Sequence, residues 1–264
     1  MMRAKIGPEP AFTPVAPPND LPKSPAEPWE RDAALDSQRR QTWIVGLLGA
    51  EQRYDAVEEA LIQRAVALRD ACAAVAMPSR LLKHSPTIER MSTKLEASGR
   101  VLGEAEAVIP AAVLELVAFL MHYDSKFWQS LVDPRLDVRS EIVDVVSSHH
   151  AVMLNVRQVP PFAPRAFLNS IICKKVSDEP LEYVVAVVPT EARTGIKEVD
   201  EKRDVRAEFT KAFFLTALGP RRTRLAYACS LRLNGRFPQW LVGTLAIPQL
   251  MQEMYSANVL PAHT

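Results

Sequence analysis

Between Thr223 and Leu233 the chain alternates strictly, with Leu225, Tyr227, Cys229, Leu231 and Leu233 on one parity and Arg224, Ala226, Ala228, Ser230 and Arg232 on the other. A period of two places the first set on one face of an extended strand, so that face can be buried while the other carries small and charged groups. No helix tolerates this pattern, and the segment commits the chain to a fold built around a sheet. The alternation recurs at Val152, Leu154 and Val156 against Met153, Asn155 and Arg157, after an apolar run centred on Ile142 to Val146. Ser147 to His150 lies between the two runs and is short enough for a hairpin. With Val146 opposite Ala151, the residues Val143, Val145, Val152, Leu154 and Val156 share one face and Asp144, Asn155 and Arg157 the other. Glu141 is then the one polar group on the apolar side.

Gly219 to Arg222 joins the stretch from Val205 to Leu218 to the Thr223 strand in a similar way. Two adjacent registers are tolerable there, and they send Phe213 and Phe214 to opposite faces. Tyr183 to Val188 is apolar on both parities, which predicts a strand covered on both sides.

Helical periodicity appears in three places. Val57, Leu61, Ala65, Leu68, Cys72 and Val75 recur every three or four residues, with Glu58, Glu59, Arg64 and Arg69 mostly off the stripe, and Met77-Pro78 ends the segment. A second helix is predicted from about Ala111 to His122. A third runs from Pro238 to about Leu260, where Pro248 must kink or break it and offers a hinge.

With 48% hydrophobic residues in a chain of 264, one sizeable core is expected. Eight prolines between Pro8 and Pro28 accompany almost no large aliphatic residues, so residues 1–40 read as a disordered Pro-rich tail before a domain over 41–264. The formal net charge of +1 gives no broad field for nucleic acid, and no nucleic-acid partner is expected. Cys72, Cys173 and Cys229 are odd in number and widely spaced, which fits buried free thiols in a reducing compartment. No secretory leader is recognised, because no basic n-region directly precedes an apolar core at Met1, and no membrane span, because Trp43 to Ala50 falls well short of about 20 apolar residues. A cytoplasmic location with peripheral membrane contact is the expectation.

Nucleophile elbows, zinc-protease and phosphate-loop motifs are absent, and only nine glycines exist to build phosphate cradles. His149 and His150 are adjacent in a turn and are expected to point apart, without a second ligand cluster nearby in sequence. No metal, cofactor or catalytic residue is assigned. The run from Lys197 to Asp204 reads as a solvated loop, and Arg221, Arg222 and Arg224 as an exposed turn.

Four short stretches, in order, resemble the START (steroidogenic-acute-regulatory-related lipid transfer) family: Gly103-Glu104-Ala105-Glu106-Ala107 leading through Tyr123-Asp124; Pro161 to Phe167; Val205-Arg206-Ala207-Glu208; and Phe237 to Val242. The resemblance covers about residues 55–260. One departure is Arg165-Ala166-Phe167, where the family usually has Arg-Asp-Phe. The resemblance implies an α+β helix-grip fold, with a curved antiparallel sheet wrapped around a long C-terminal helix and an internal cavity for a single lipid. It further implies a lid made by the loop from Pro160 to Arg165 together with that helix.

On this reading the chain is a non-enzymatic binder, and possible carrier, of one sterol, phospholipid or sphingolipid. The expected wall is Val143, Val145, Val152, Leu154, Val156, Tyr227, Leu231, Trp240, Leu245 and Met251. Glu141, Arg165 and Arg206 are the candidates to meet a polar head. Two other readings stay open: a START-like scaffold with a filled cavity that binds a protein, and an enzyme of the wider superfamily such as a cyclase, which would need polar groups deep inside.

Overall fold

The computed structural model describes residues 38, 42–44, 46–47, 52–75, 88–122, 137–159, 162–190 and 204–234. The predicted Pro-rich tail, Tyr123-Asp124, Pro160-Pro161, Lys197 to Arg203, and the predicted C-terminal helix with Trp240, Leu245, Pro248 and Met251 lie outside the described residues, apart from Gln38.

Helix α1 spans Ala56–Ala74, and β1 (Ile88–Leu95) and β2 (Val101–Ile109) follow as a hairpin. Helix α2 spans Val113–Met121. Then come β3 (Asp137–Ser147), β4 (His150–Val159), β5 (Phe162–Asp178), β6 (Leu181–Pro189), β7 (Val205–Arg206), β8 (Glu208–Gly219) and β9 (Arg222–Arg232). The strand order is β1-β2-β9-β8-β6-β5-β4-β3, antiparallel at every step, with β7 added parallel to the start of β5. The sheet is open and curved, and the class is α+β as the resemblance implied.

Helix α1 starts where Asp55 accepts hydrogen bonds from the backbone N–H groups of Val57 and Glu58, both at 2.8 Å. The Glu58 carboxylate returns the favour by accepting from Asp55 N–H at 3.1 Å, a reciprocal cap that satisfies donors the first turn would otherwise orphan. Leu61, Ala65, Leu68 and Cys72 are buried as the stripe predicts. Val57 is not, at 67% exposed, and Glu58 takes the inward place instead.

Beneath α1, Ala186, Ala212 and Ala228 stand side by side on β6, β8 and β9. This row of small residues, with Ala65 on the helix, lets the helix backbone come close to the sheet, and Leu102, Ile172 and Val188 flank it. On the other face α2 buries Leu116, Val117, Phe119 and Leu120 against the larger side chains of the sheet. The central strand β6 therefore has both parities buried: Val185 and Val187 face α2, while Ala186 and Val188 face α1.

The β8–β9 register is settled by Gly219 opposite Arg222. Phe213 goes to the α2 face, 4.9 Å from the Tyr227 ring, and Phe214 to the α1 face, where the Arg69 guanidinium sits 4.4 Å from its centroid.

The β3–β4 hairpin forms, but not in the predicted register. Val145, not Val146, pairs with Ala151, and Glu141 pairs with Leu154, because β3 has irregularities between Asp137 and Arg139, Ile142 and Asp144, and Val145 and Ser147. Each extra residue reverses the parity of what precedes it. The irregularity near the turn puts Asp144 opposite Val152 and leaves Val145 71% exposed, and the next one restores the parity, so that Ile142 packs on the α2 face.

Candidate functional site

The α2 face is the larger apolar surface of the sheet. On β5 its inward residues are Arg165, Phe167, Asn169, Ile171 and Cys173, and on β8 they are Phe209, Lys211, Phe213 and Leu215. Pairing fixes a transverse row of Ile171, Val187, Lys211, Cys229 and Gly103 across five strands. Buried polar groups interrupt this largely hydrophobic wall: Asn155, Thr93 and Thr223 at its margins, and Arg165, Asn169 and Lys211.

Lys211 is 4% exposed, and its ammonium lies 4.3 Å from the centroid of the Phe209 ring, a cation–π arrangement that offsets part of its desolvation. Asn169 is 2% exposed, and among the described residues its Oδ1 has no hydrogen-bond partner. Arg165 is also buried, and donates from Nε to Leu233 O at 2.8 Å, from Nη2 to Asn234 O at 3.3 Å, and from Nη1 to Ala163 O. Burial holds the Arg165 guanidinium below its ordinary pKa, since removal from water disfavours the charged form. At this end of the face the Phe167 and Phe209 rings are 6.2 Å apart.

The residues expected to form one wall are divided by the structure. Tyr227 and Leu231 belong to the α2 face. Val152, Leu154 and Val156 cluster with Ala166 and Leu168, and Val143 packs against them, on the opposite side of the sheet. Val145 is at the surface. Glu141 forms an ion pair with Arg139 and shares the face of Leu154, so it does not reach the α2 side. Arg206 lines a groove of about 380 Å³ with Arg64, Leu168, Pro189, Glu208 and Asn234, also away from the α2 face. Of the three head-group candidates only Arg165 lies on the large apolar wall, and there it clasps backbone carbonyls.

Lys211 and Asn169 were not singled out in the sequence. Their signal is parity: Phe209, Lys211, Phe213 and Leu215, like Phe167, Asn169, Ile171 and Cys173, put one polar residue in an apolar series. That signal becomes readable only once the register of β8 is known.

A second polar cluster ties α1 to the β3–β4 turn. His149 and His150 do not point apart; both imidazoles reach the buried Glu58 carboxylate, from His149 Nε2 at 3.4 Å and from His150 Nδ1 at 3.1 Å. The Tyr54 ring lies against His149 at 4.4 Å between centroids, and its hydroxyl donates to Cys173 O at 2.9 Å. The phenol is pushed above its ordinary pKa, first by burial and then by Cys173. Trp43 completes the clasp, donating from Nε1 to Ser148 O at 2.6 Å. Among the described residues no group of three or more His, Cys, Asp or Glu is arranged to hold a metal ion.

Cys72, Cys173 and Cys229 are free and buried. Burial pushes the Cys72 thiol up to about 11 and the Cys173 thiol up to about 12. A small void between Met91, Thr93, Gly103, Ala105, Tyr227 and Cys229 measures about 10 Å³, roughly the room of one water. No described helix is long and apolar enough to cross a membrane.

No protein-family model matches the sequence, and no curated protein matches it either. Solved structures do. Human STARD10 superposes with a TM-score of 0.57 at 15% identity, over 79% of this chain and 81% of its own. Human StAR-related lipid transfer protein 5 gives 0.54 at 14%, over 76% and 96%, and a STAR-related lipid transfer protein from Xanthomonas axonopodis gives 0.53 at 16%, over 68% and 96%. At such identities the likeness is one of fold, and the fold of this chain is START-like.

Proposed function

We propose that the chain is a non-enzymatic binder and carrier of a single lipid, held against the α2 face of the sheet. The observation that carries this reading is a wide, buried, apolar wall interrupted by an orphaned acceptor, Asn169 Oδ1. Hydrocarbon laid on such a wall gains about 0.8 kcal/mol per methylene removed from water. An unpaired buried amide oxygen costs about 1–3 kcal/mol, which a ligand hydroxyl would recover. Lipid-transfer names among the structures of the same fold support the same reading.

Tyr227 and Leu231 are the proposed wall on the described side, together with Phe167, Ile171, Phe209 and Phe213. Trp240, Leu245 and Met251 are proposed to close it from the C-terminal segment, with the loop from Pro160 to Arg165 as the other half of a lid. Val143, Val152, Leu154 and Val156 serve the packing of the opposite face. The lipid would be taken from a membrane touched transiently and peripherally.

Native mass spectrometry of the purified full chain, followed by extraction and identification of what is released, tests the reading. One lipid per chain is expected. A protein that arrives empty and takes up no fluorescent sterol, ceramide or phospholipid overturns it in favour of a protein-binding scaffold.

A further inference from the structure

Buried charge is divided between the two faces of the sheet. Among the described residues, Arg165 and Lys211 are the buried cationic side chains of the strands, and both are on the α2 face. The buried carboxylate, Glu58, belongs to α1 on the other side. Glu104, Glu106, Glu182 and Glu208 also face the α1 side, where cations offset the carboxylates, Arg90 pairing with Glu104 and Glu106 and Lys174 with Glu59.

The cations are also gathered at one end. Lys211 leans from its own row over Phe209, whose ring neighbours Phe167, and Phe167 stands between Arg165 and Asn169 on β5. A donor-rich ammonium and an orphaned acceptor thus border the same stretch of wall. By strand spacing and rise, their Cα positions are about 12 Å apart, a span that the lysine side chain shortens.

Resting on the lipid-binding reading above, we propose that this wall selects a lipid with an anionic head, a carboxylate or phosphate, which Lys211 meets while Asn169 Oδ1 accepts a hydrogen bond from a hydroxyl carried beside the charge. An anionic head adds a charge-assisted hydrogen bond at Lys211, and its three N–H donors let it serve protein and ligand together. A neutral head adds no such bond. A ligand without a hydroxyl leaves the Asn169 oxygen as it stands.

The test offers delipidated full-length protein vesicles of phosphatidylcholine doped with phosphatidylglycerol, oleic acid or cholesterol. High salt screens attraction to the vesicle surface, and mass spectrometry counts the lipid carried off. Phosphatidylglycerol or oleate should be enriched about tenfold or more over phosphatidylcholine and cholesterol, the ratio that about 1.4 kcal/mol confers. The two charged arms separate a phospholipid from a free fatty acid as the source of the anion. Lys211→Met should abolish the enrichment while total lipid uptake persists, and Lys211→Arg should keep it. Asn169→Leu should remove any advantage of phosphatidylglycerol over oleate. Equal uptake of charged and neutral lipids by the unmodified protein, or enrichment that survives Lys211→Met, overturns the proposal and leaves lipid binding intact. Uptake of no lipid at all overturns the lipid-binding reading itself.

Discussion

The two faces of the sheet are made by the same strands, yet they are built to opposite specifications. Under α1 the contact row is Ala186, Ala212 and Ala228, small residues that bring a helix close. Under α2 the corresponding positions are Phe167, Phe209, Phe213, Tyr227 and Leu231, which stand tall and carry the buried cations among them. A face that needs only to hold a helix is satisfied by shape. The other face combines bulk with isolated polar groups, the composition expected where a ligand with an apolar body and a polar end is accommodated.

The sharpest way to break this contrast uses two adjacent residues. Phe213→Ala empties a site on the α2 face that is 1% exposed and should cost about 3–5 kcal/mol. Phe214→Ala, on the partly buried α1 side, should cost well under half as much. Urea unfolding of the two variants measures both, and equal losses would show that the faces are not packed differently.

Glu58 tests whether the α1 side depends on one polar anchor. Glu58→Ala removes the acceptor for His149, His150 and Asp55 N–H, and should destabilise the protein by about 2–3 kcal/mol, typical of hydrogen bonds to a buried charged group. A loss below about 0.5 kcal/mol would mean that the clasp is incidental.

The smallest effect concerns the buried thiols. Cys173 is pushed up to about 12 from an ordinary 9.0, and Cys72 to about 11. The native state keeps protons that the unfolded chain releases as pH rises past 9.0, so the free energy of unfolding should fall with pH above that value and be insensitive to these groups below it. Urea midpoints taken from about pH 8 to about pH 10 should decline, and Cys173→Ala should flatten the decline. An unchanged slope in that variant would remove Cys173 from the account.

Much of this architecture can be read locally. The alternation of β9, the doubly apolar β6 and the stripe of α1 each declare their element, because burial acts on residues two or four apart. What local pattern cannot carry is which face a strand's apolar parity will join. Val152, Leu154 and Val156 look like Leu225, Tyr227 and Leu231, yet the sheet sends the two sets to opposite sides. The irregularities in β3 are similarly silent, since no glycine or proline marks them, and they move Val145 out of the expected wall. Glu58 was misread for another reason: a carboxylate in a first turn is ordinarily solvated, and its burial depends on two histidines far along the chain. Of the head-group candidates, Arg165 alone lies on the α2 face, and Lys211 was hidden until the register chose between Phe213 and Phe214.

The pairing of β2 with β9 has a consequence for how the molecule is made. Val101 lies opposite Leu231 and Ile109 opposite Thr223, so the hairpin synthesised first has as its sheet partner the strand synthesised last among those described. During vectorial synthesis β1 and β2 must wait as an isolated ribbon, which is marginally stable in water, while β3 to β8 assemble beside one another. Closure by so non-local a pairing is intrinsically slow, and until it happens the floor for α1 is incomplete and the edges of β2 and β9 are open to other chains. A ligand or chaperone that shields those edges would therefore act late, on a nearly finished sheet, rather than on the nascent chain as it first emerges.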